Sequence, residues 1–479
     1  MASEGTGGTW LLVLVPLLAV VIFLLVQNAL AERERKRLAW PVARCHLSRP
    51  PSTRRLQRIS HKVTGALKRA ATELVSSGSE QGLSICVYFE GEEIASVCCG
   101  SYRSIAGSDR WKPVTPDTRF MGYSVSKGIA ASVILAMVDA GLLSYDERVG
   151  KKWKAFDRCN EKKQITVQDA LSHRSGLQWT SVTFLVRYIL TACQCTKSAW
   201  KVGEAMIQDY CPDWEPGAKA VYHPLSWSWI AGGIARRASK HPEGCINSEL
   251  RERVCKPLKI PVHEVRIGQV PSREDEDIAR LEPKGLSHHR RNAPWWKVGI
   301  GVVESCIFRT IGNFGLFRRI CLPSSNAVWT PKAVARIYGA VSNRGFVKDQ
   351  NHMRSGVQAT DAESKYSSAD MLRFVSNDTI KILRQKLCAP TVPGGHGQGP
   401  ATLGLGYSPW SDCRLHGDCT ARIVGHNGMG GCCAFGEILG EQKVSGEVSP
   451  VRSPTGSLAL CIGKSSYDPA AFVGLAGVS

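Results

Sequence analysis

The sequence predicts an α/β domain with one antiparallel sheet built from both ends of the chain, flanked by helices and carrying a mainly helical insert, with one transmembrane helix in front. Three observations lead there. Strand-like runs occupy residues 83–100 and return at 422–463. Helical spacing dominates the residues between them. Trp10 to Val26 is an apolar run without a charged or polar side chain.

That apolar run, extended by Ala29 and Leu30, is close to the roughly 20 residues an α-helix needs to cross a bilayer. A cleaved signal peptide is the rival reading, but Met1 to Thr9 holds no Lys or Arg, and Glu32-Arg33-Glu34-Arg35-Lys36-Arg37 follows the run. The expected organisation is a tail at 1–9, an anchor at 10–30, a basic juxtamembrane segment at 31–70 and a folded domain at 71–479. From Arg33 to Arg69 there are twelve Lys or Arg and one acidic residue, out of a net +20. Under the positive-inside rule this flank, and the domain behind it, stay on the cytosolic or mitochondrial matrix side. The same basic stretch suits an anionic lipid surface. It lacks interleaved aromatics and any nucleic-acid-binding module, so no nucleic-acid partner is expected.

With 43 % hydrophobic and 21 % charged residues, the rest of the chain belongs to a folded protein rather than a disordered one. His61 to Ser77 has helical spacing, with Val63, Leu67, Ala70, Ala71 and Leu74 on one stripe. Leu83–Phe89 and Glu93–Gly100 read as strands joined by the turn Glu90-Gly91-Glu92. Ser126 to Ala140 reads as a buried helix stopped by Gly141. Further helices are expected at Val167–Leu171, Ser226–Arg237, Glu249–Val254, Pro331–Asn343 and around Thr379–Lys386. Residues 304–402 are otherwise irregular and basic. Strand character returns at Arg422–Val424, Cys432–Ile438 and Ser457–Gly463.

Eighteen cysteines in 479 residues fall below the density of a disulfide scaffold. Neighbouring pairs such as Cys98-Cys99 and Cys432-Cys433 place one thiol on each face of a strand and read as buried, reduced hydrophobes. Cys413-x-x-His416-x-x-Cys419 has the look of half a metal site, without the second pair that would complete four ligands.

Ser-x-x-Lys occurs twice, at Ser124–Lys127 and Ser198–Lys201. Ser124 opens the apolar helix, where free N–H groups meet an anionic oxygen. The spacing puts Lys127 one turn away on the same face. A lysine enclosed there loses solvation, drops its pKa and can take the serine proton. An N-cap serine beside an ordinary lysine has the same spacing.

The surroundings add weight. Phe120-Met-Gly-Tyr-Ser-Val-Ser-Lys-Gly-Ile-Ala130, Ala140-Gly-Leu-Leu-Ser-Tyr-Asp-Glu-Arg-Val-Gly150, Ile165-Thr-Val-Gln-Asp-Ala-Leu-Ser-His-Arg-Ser-Gly-Leu177, Pro216-Gly-Ala-Lys-Ala-Val-Tyr-His-Pro-Leu-Ser-Trp227, Arg251-Glu-Arg-Val-Cys-Lys-Pro-Leu258 and Val424-Gly-His-Asn-Gly-Met-Gly-Gly431 stand in order along the chain. Together they resemble the landmarks of the serine β-lactamase-like family: class C β-lactamases, penicillin-binding DD-peptidases and family VIII-type esterases. The likeness spans roughly residues 80 to 465.

The resemblance implies a β-lactamase-like fold and an acyl-enzyme mechanism without metal or organic cofactor. It implies Ser124 as nucleophile, Lys127 as its proton partner and Tyr222 as the phenol that hands a proton to the leaving group, a task that needs the Tyr222 pKa lowered by Lys127. Backbone N–H groups of Ser124 and Met429 would form the oxyanion hole. His426 and Gly428, in the third motif, would contact substrate. His173 would be structural. Trp295, Trp296 and Trp410 are candidates for an acyl pocket or for packing.

Two departures shape the expected substrate. The family's Tyr-x-Asn is Tyr222-His223-Pro224 here, so the amide donor is gone. The lysine that usually opens the third motif is His426, a weaker hold on a carboxylate. The expected enzyme is a membrane-anchored serine hydrolase acting on a small-molecule or peptide ester or amide, with esters favoured over antibiotics. The alternative is a catalytically silent scaffold on the same fold at a membrane.

Overall fold

A computed structural model describes residues 42–107, 110–178, 190–191, 196–241, 245–283, 309–349, 370–387, 404–409, 422–428, 431–438, 442–444, 447–449, 458–464 and 466–467. The expected anchor at 10–30 lies outside them, and no described helix is long and apolar enough to cross a membrane.

The main sheet has eight strands. In order they are Arg44–Cys45, Glu92–Arg103, Gly82–Phe89, Leu458–Lys464, Cys433–Ile438, Arg422–Asn427 and Ser408–Pro409, with Trp111–Pro113 also pairing Glu92–Arg103. Every one of these pairings is antiparallel. The seam between chain ends is long: Gly463↔Ser84 through Leu458↔Phe89 are paired residues of Leu458–Lys464 and Gly82–Phe89. The sheet is thus closed by both ends of the chain, as the strand pattern predicts.

Strand alternation divides the core in two. Cys98 packs with Cys86, Tyr88 and the central helices, whereas its neighbour Cys99 packs with Leu83, Ile85 and the N-terminal helix. Cys432 and Cys433 divide the same way. All of these thiols are buried, as small hydrophobes would be.

One face is covered by the Arg54–Ser76 helix, whose Thr53 side chain accepts from Leu56 N at 3.1 Å as an N-cap. Leu56, Ala71 and Val75 are buried against the strands, with Ile59, Val63, Leu67 and Leu74 beside them. The expected boundary between residues 70 and 71 therefore falls inside one continuous helix. The reason is physical: the basic side chains at Arg55, Arg58, Lys62 and Lys68 line the outer face while the apolar stripe packs on the sheet. Packed structure begins well before residue 71.

The other face holds Val125–Asp139 and Pro331–Ser342. The first is buried almost all round and ends at Gly141, φ +66°. A Cβ on Gly128 would lie 1.8 Å from the Tyr338 hydroxyl, so glycine allows these two helices to approach. Thr330 caps the second helix through Ala333 N, with Pro331 at its first position.

Val167–Leu171, Trp227–Ala238 and Asn377–Leu387 match their expected places within a residue or two. Around Glu249–Val254 the structure has Ile246–Glu249 followed by a wider turn at Leu250–Cys255. Several short strands were not legible, Phe346–Lys348 and Met371–Arg373 among them. Ala327–Trp329 lies within the stretch read as irregular, yet it pairs Phe120–Met121 on one side and Val265–Ile267 on the other. Only three residues long, it has no periodicity to detect, and its partners lie far away in sequence. This small sheet anchors the strand leading into Ser124.

Candidate active site

The chain turns sharply from Phe120–Met121 into the Val125–Asp139 helix, and Ser124 sits at that turn. Tyr123 adopts φ +44°, a left-handed conformation that costs a tyrosine on the order of 1–3 kcal/mol and persists only where surroundings enforce it. The turn is held by Ser126, whose Oγ donates to Tyr123 O at 2.5 Å and accepts from Ala327 N at 2.8 Å. Ser124 occupies the helix cap but makes no side-chain capping bond. Its Oγ lies 2.7 Å from the Tyr222 hydroxyl instead. The capping explanation of this serine therefore fails.

Lys127 is wholly enclosed, 0 % exposed. Its Nζ donates to Pro224 O and Ser324 O, each at 3.2 Å, and lies 4.7 Å from the centre of the Tyr222 ring. Among the described residues no carboxylate lies against it, and desolvation holds its pKa well below 10.5. Lys201, in the other Ser-x-x-Lys, is exposed on the Thr196–Asp209 helix and has no such environment.

Burial pushes the Tyr222 phenol up to about 12, with the Ser124 hydrogen bond opposing. This corrects the expectation that Lys127 would lower it. The enclosure that desolvates Lys127 also penalises the phenolate, and the Ser124 hydrogen bond offsets only part of that penalty. At neutral pH Tyr222 is a protonated phenol.

His426 comes to the same place, its ring centre 6.0 Å from that of Tyr222. Its Nδ1 faces Asn427 O at 2.8 Å. A carbonyl only accepts, so Nδ1 carries the proton and Nε2 is left as an acceptor. Burial, then the nearby Lys127, pulls its pKa down to about 3. The sequence implied a partly charged histidine; enclosure makes it neutral. Gly428 is buried beside the nucleophile turn, but its N–H donates to Cys432 O at 2.8 Å and is already engaged. Met429, expected in the oxyanion hole, lies outside the described residues, as do Trp295, Trp296, Trp410 and the Cys413/His416/Cys419 cluster.

Three residues near the site were not assigned to it from sequence. Pro224 contributes its carbonyl, and Ser324, 197 residues beyond Lys127, contributes another. Neither contact has a sequence signal, because both use backbone oxygen. His173, at φ +60°, packs its ring 4.9 Å from that of Tyr222 and accepts the His223 backbone N–H through Nδ1 at 2.9 Å. Among the described contacts it packs against Tyr222 and holds the His223 backbone, so it positions the segment that carries Tyr222.

A desolvated lysine, a serine and a phenol meet at the mouth of a helix. The comparisons agree on the lineage: the β-lactamase family model matches residues 67–448, and the chain belongs to the β-lactamase family. Among curated proteins it is 25 % identical over 363 residues to the esterase/β-lactamase LipL of Mycobacterium tuberculosis (strain ATCC 25618 / H37Rv), covering 73 % of this chain and 72 % of that one. Its fold resembles a family VIII carboxylesterase, with TM-score 0.60, 21 % identity and coverage of 87 % of this chain and 94 % of the other. It also resembles a penicillin-binding protein homologue from Caulobacter crescentus, with TM-score 0.57, 23 % identity and coverage of 88 % and 94 %.

Proposed function

We propose that this β-lactamase-family protein is a serine hydrolase that cleaves an ester, or an activated amide, through an acyl intermediate on Ser124. The observation that carries the reading is the 2.7 Å contact between Ser124 Oγ and Tyr222 OH, next to an enclosed lysine with no counter-ion among the described residues. A neutral amine has two N–H bonds and one lone pair. The carbonyls of Pro224 and Ser324 take both N–H bonds, which leaves the lone pair to accept a proton.

In the reaction, Ser124 Oγ attacks the substrate carbonyl carbon while its proton passes by way of Tyr222 OH to the Lys127 lone pair. Collapse of the tetrahedral adduct breaks the bond to the leaving group, which takes the proton back. A water then repeats the sequence on the acyl-serine and releases the acid. Neutral His426 and the absence of an Asn side chain at Pro224 favour an uncharged substrate over a carboxylate-bearing β-lactam or D-alanyl peptide.

A fluorophosphonate probe tests the reading. The wild-type chain is expected to be labelled on Ser124 and to hydrolyse neutral short-chain esters faster than D-alanyl peptides or a chromogenic cephalosporin, with both labelling and turnover lost in Ser124→Ala. A folded wild-type protein that takes no label would leave the catalytically silent scaffold as the better description.

We further propose that residues 10–30 anchor the enzyme as a single span, with the catalytic domain on the cytosolic or matrix side. The support is the apolar run and the excess of Lys and Arg behind it. In sealed membranes the N-terminal tail should resist added protease while the domain is digested. The opposite pattern reverses the topology, and loss of the whole chain to a carbonate wash removes the anchor.

A further inference from the structure

We infer that Cys159, Glu161 and Cys211 form a surface site for a thiophilic divalent cation, zinc above all, which clasps the loop after residue 157 to the end of the Thr196–Asp209 helix. The two Sγ atoms and a Glu161 carboxylate oxygen all lie within 4.8 Å of one another. Tetrahedral zinc holds thiolates at about 2.3 Å and carboxylate oxygen at about 2.0–2.2 Å, which puts ligand atoms somewhat under 4 Å apart. Small side-chain adjustments close the remaining gap, and both Glu161 and Cys211 are exposed enough to make them. Three protein ligands leave a fourth position for water. The chemistry of the set selects the metal: two soft sulfurs with one carboxylate suit zinc and disfavour magnesium or calcium.

The frame is built independently of any ion. Cys159 immediately precedes the short Asn160–Gln164 turn, and Cys211 follows the Thr196–Asp209 helix by two residues. Between them, buried Lys162 Nζ donates to Ile207 O at 2.6 Å and Gln208 O at 2.8 Å, and Arg158 pairs with Asp209. The two segments are thus already fixed against each other, and the ligands converge without rearrangement of the backbone.

The place of this clasp gives it a consequence. Downstream of Cys211, Asp213 N donates to Gly176 O, the Trp214 ring meets His223 edge-on at 6.3 Å, and the chain then reaches Tyr222. A cation on Cys211 would stiffen the segment that carries the phenol. It would be structural: it shares no residue with the serine site and takes no part in the acyl transfer.

Cobalt reports the site directly. The full chain, reduced and stripped with a chelator, is titrated with Co²⁺, which gives thiolate-to-metal charge-transfer absorption and the visible bands of tetrahedral cobalt. One equivalent should bind, be displaced by Zn²⁺, and raise the thermal unfolding midpoint. Cys159→Ser and Cys211→Ser should each abolish the charge-transfer band, while His416→Ala leaves it intact. Glu161→Gln keeps both thiols and the fold and should weaken binding at least about tenfold, the lower end of what even an outer-shell partner contributes. The inference is overturned if reduced wild-type protein shows no such band, if the band survives in Cys159→Ser, or if it vanishes only in His416→Ala. Isolation of the chain with Cys159 and Cys211 joined as a disulfide and no metal uptake after reduction would equally overturn it. The hydrolase reading stands or falls separately, since Ser124 labelling does not depend on these thiols.

Discussion

Lys127 donates to the carbonyl of Pro224 at 3.2 Å, so the residue whose side chain departs from the family's second motif still holds the base through its backbone. Loss of the asparagine amide at this position removes a substrate contact without loosening the lysine. Under the proposed mechanism, the departure changes what is bound and leaves the lysine in place.

Lys127→Arg keeps a long cationic chain, but a guanidinium stays charged at any working pH and has no lone pair to offer. Turnover of a neutral ester should fall by roughly 10²–10⁴-fold, the usual contribution of a positioned base. Steady-state kinetics on folded protein provides the check, and a variant within tenfold of wild type would remove Lys127 from the proton path.

Tyr222→Phe separates chemistry from packing. The ring contacts with His173 and His426 survive, and only the hydroxyl bonded to Ser124 is lost. Stability should change by about 1 kcal/mol, whereas kcat should drop by roughly 10²–10⁴-fold. Denaturant unfolding and ester kinetics measured on the same preparation would reveal a purely structural tyrosine as a stability loss without the kinetic one.

Gly428 lies against the nucleophile turn: a Cβ there would sit 2.0 Å from Gly122 O. Gly428→Ala must push the turn that carries Tyr123 and Ser124, and a misplacement of about 1 Å can cost 10²-fold in rate. The expected result is a protein that still folds, with a lowered unfolding midpoint and kcat/KM reduced on the order of 100-fold. Unchanged kinetics would mean that the third motif does not touch the turn in solution.

Acid should destabilise the fold through its buried histidines. His223 is held down to about 4 and His426 to about 3, both mainly by burial. Below an unfolded pKa of about 6.5 the unfolded chain binds protons that the folded chain refuses, so stability is complete above that pH and falls as pH drops toward the folded values. For His223 the 6.5-to-4 difference is at most on the order of 3 kcal/mol. Urea unfolding between pH 7.5 and 5 should show the decline, and His426→Gln should make it shallower. The same slope in both proteins would show that His426 is not held neutral.

Much of this arrangement can be read along the chain. The turn at Glu90-Gly91, the run of small apolar residues after Ser124 and the strand pairs at both ends are local patterns, and they appear in the structure almost where the periodicity puts them. The two cysteine doublets divide between the two faces of the sheet because strand alternation leaves them no choice. Ser124, Lys127, Tyr222 and His426 can be named from motifs alone. The Arg54–Ser76 helix was half seen: its basic residues masked an apolar stripe that begins earlier than the charge pattern allows.

Electrostatics was not legible, because a pKa belongs to an environment rather than to a residue. Only the assembled fold encloses Lys127, and that desolvation draws its pKa well below that of a free lysine. The same enclosure raises Tyr222, reversing the expectation, and leaves His426 uncharged. The two carbonyls that hold the lysine come from residues 97 and 197 positions away. The strand that supports the nucleophile turn, Ala327–Trp329, is three residues long and exists only because Phe120–Met121 and Val265–Ile267 are there to pair with it. Local patterns along the chain were enough to name the groups in the motifs and the sheet beside them. The tertiary structure decided their protonation and their contacts, since burial and long-range backbone hydrogen bonds exist only once distant segments meet.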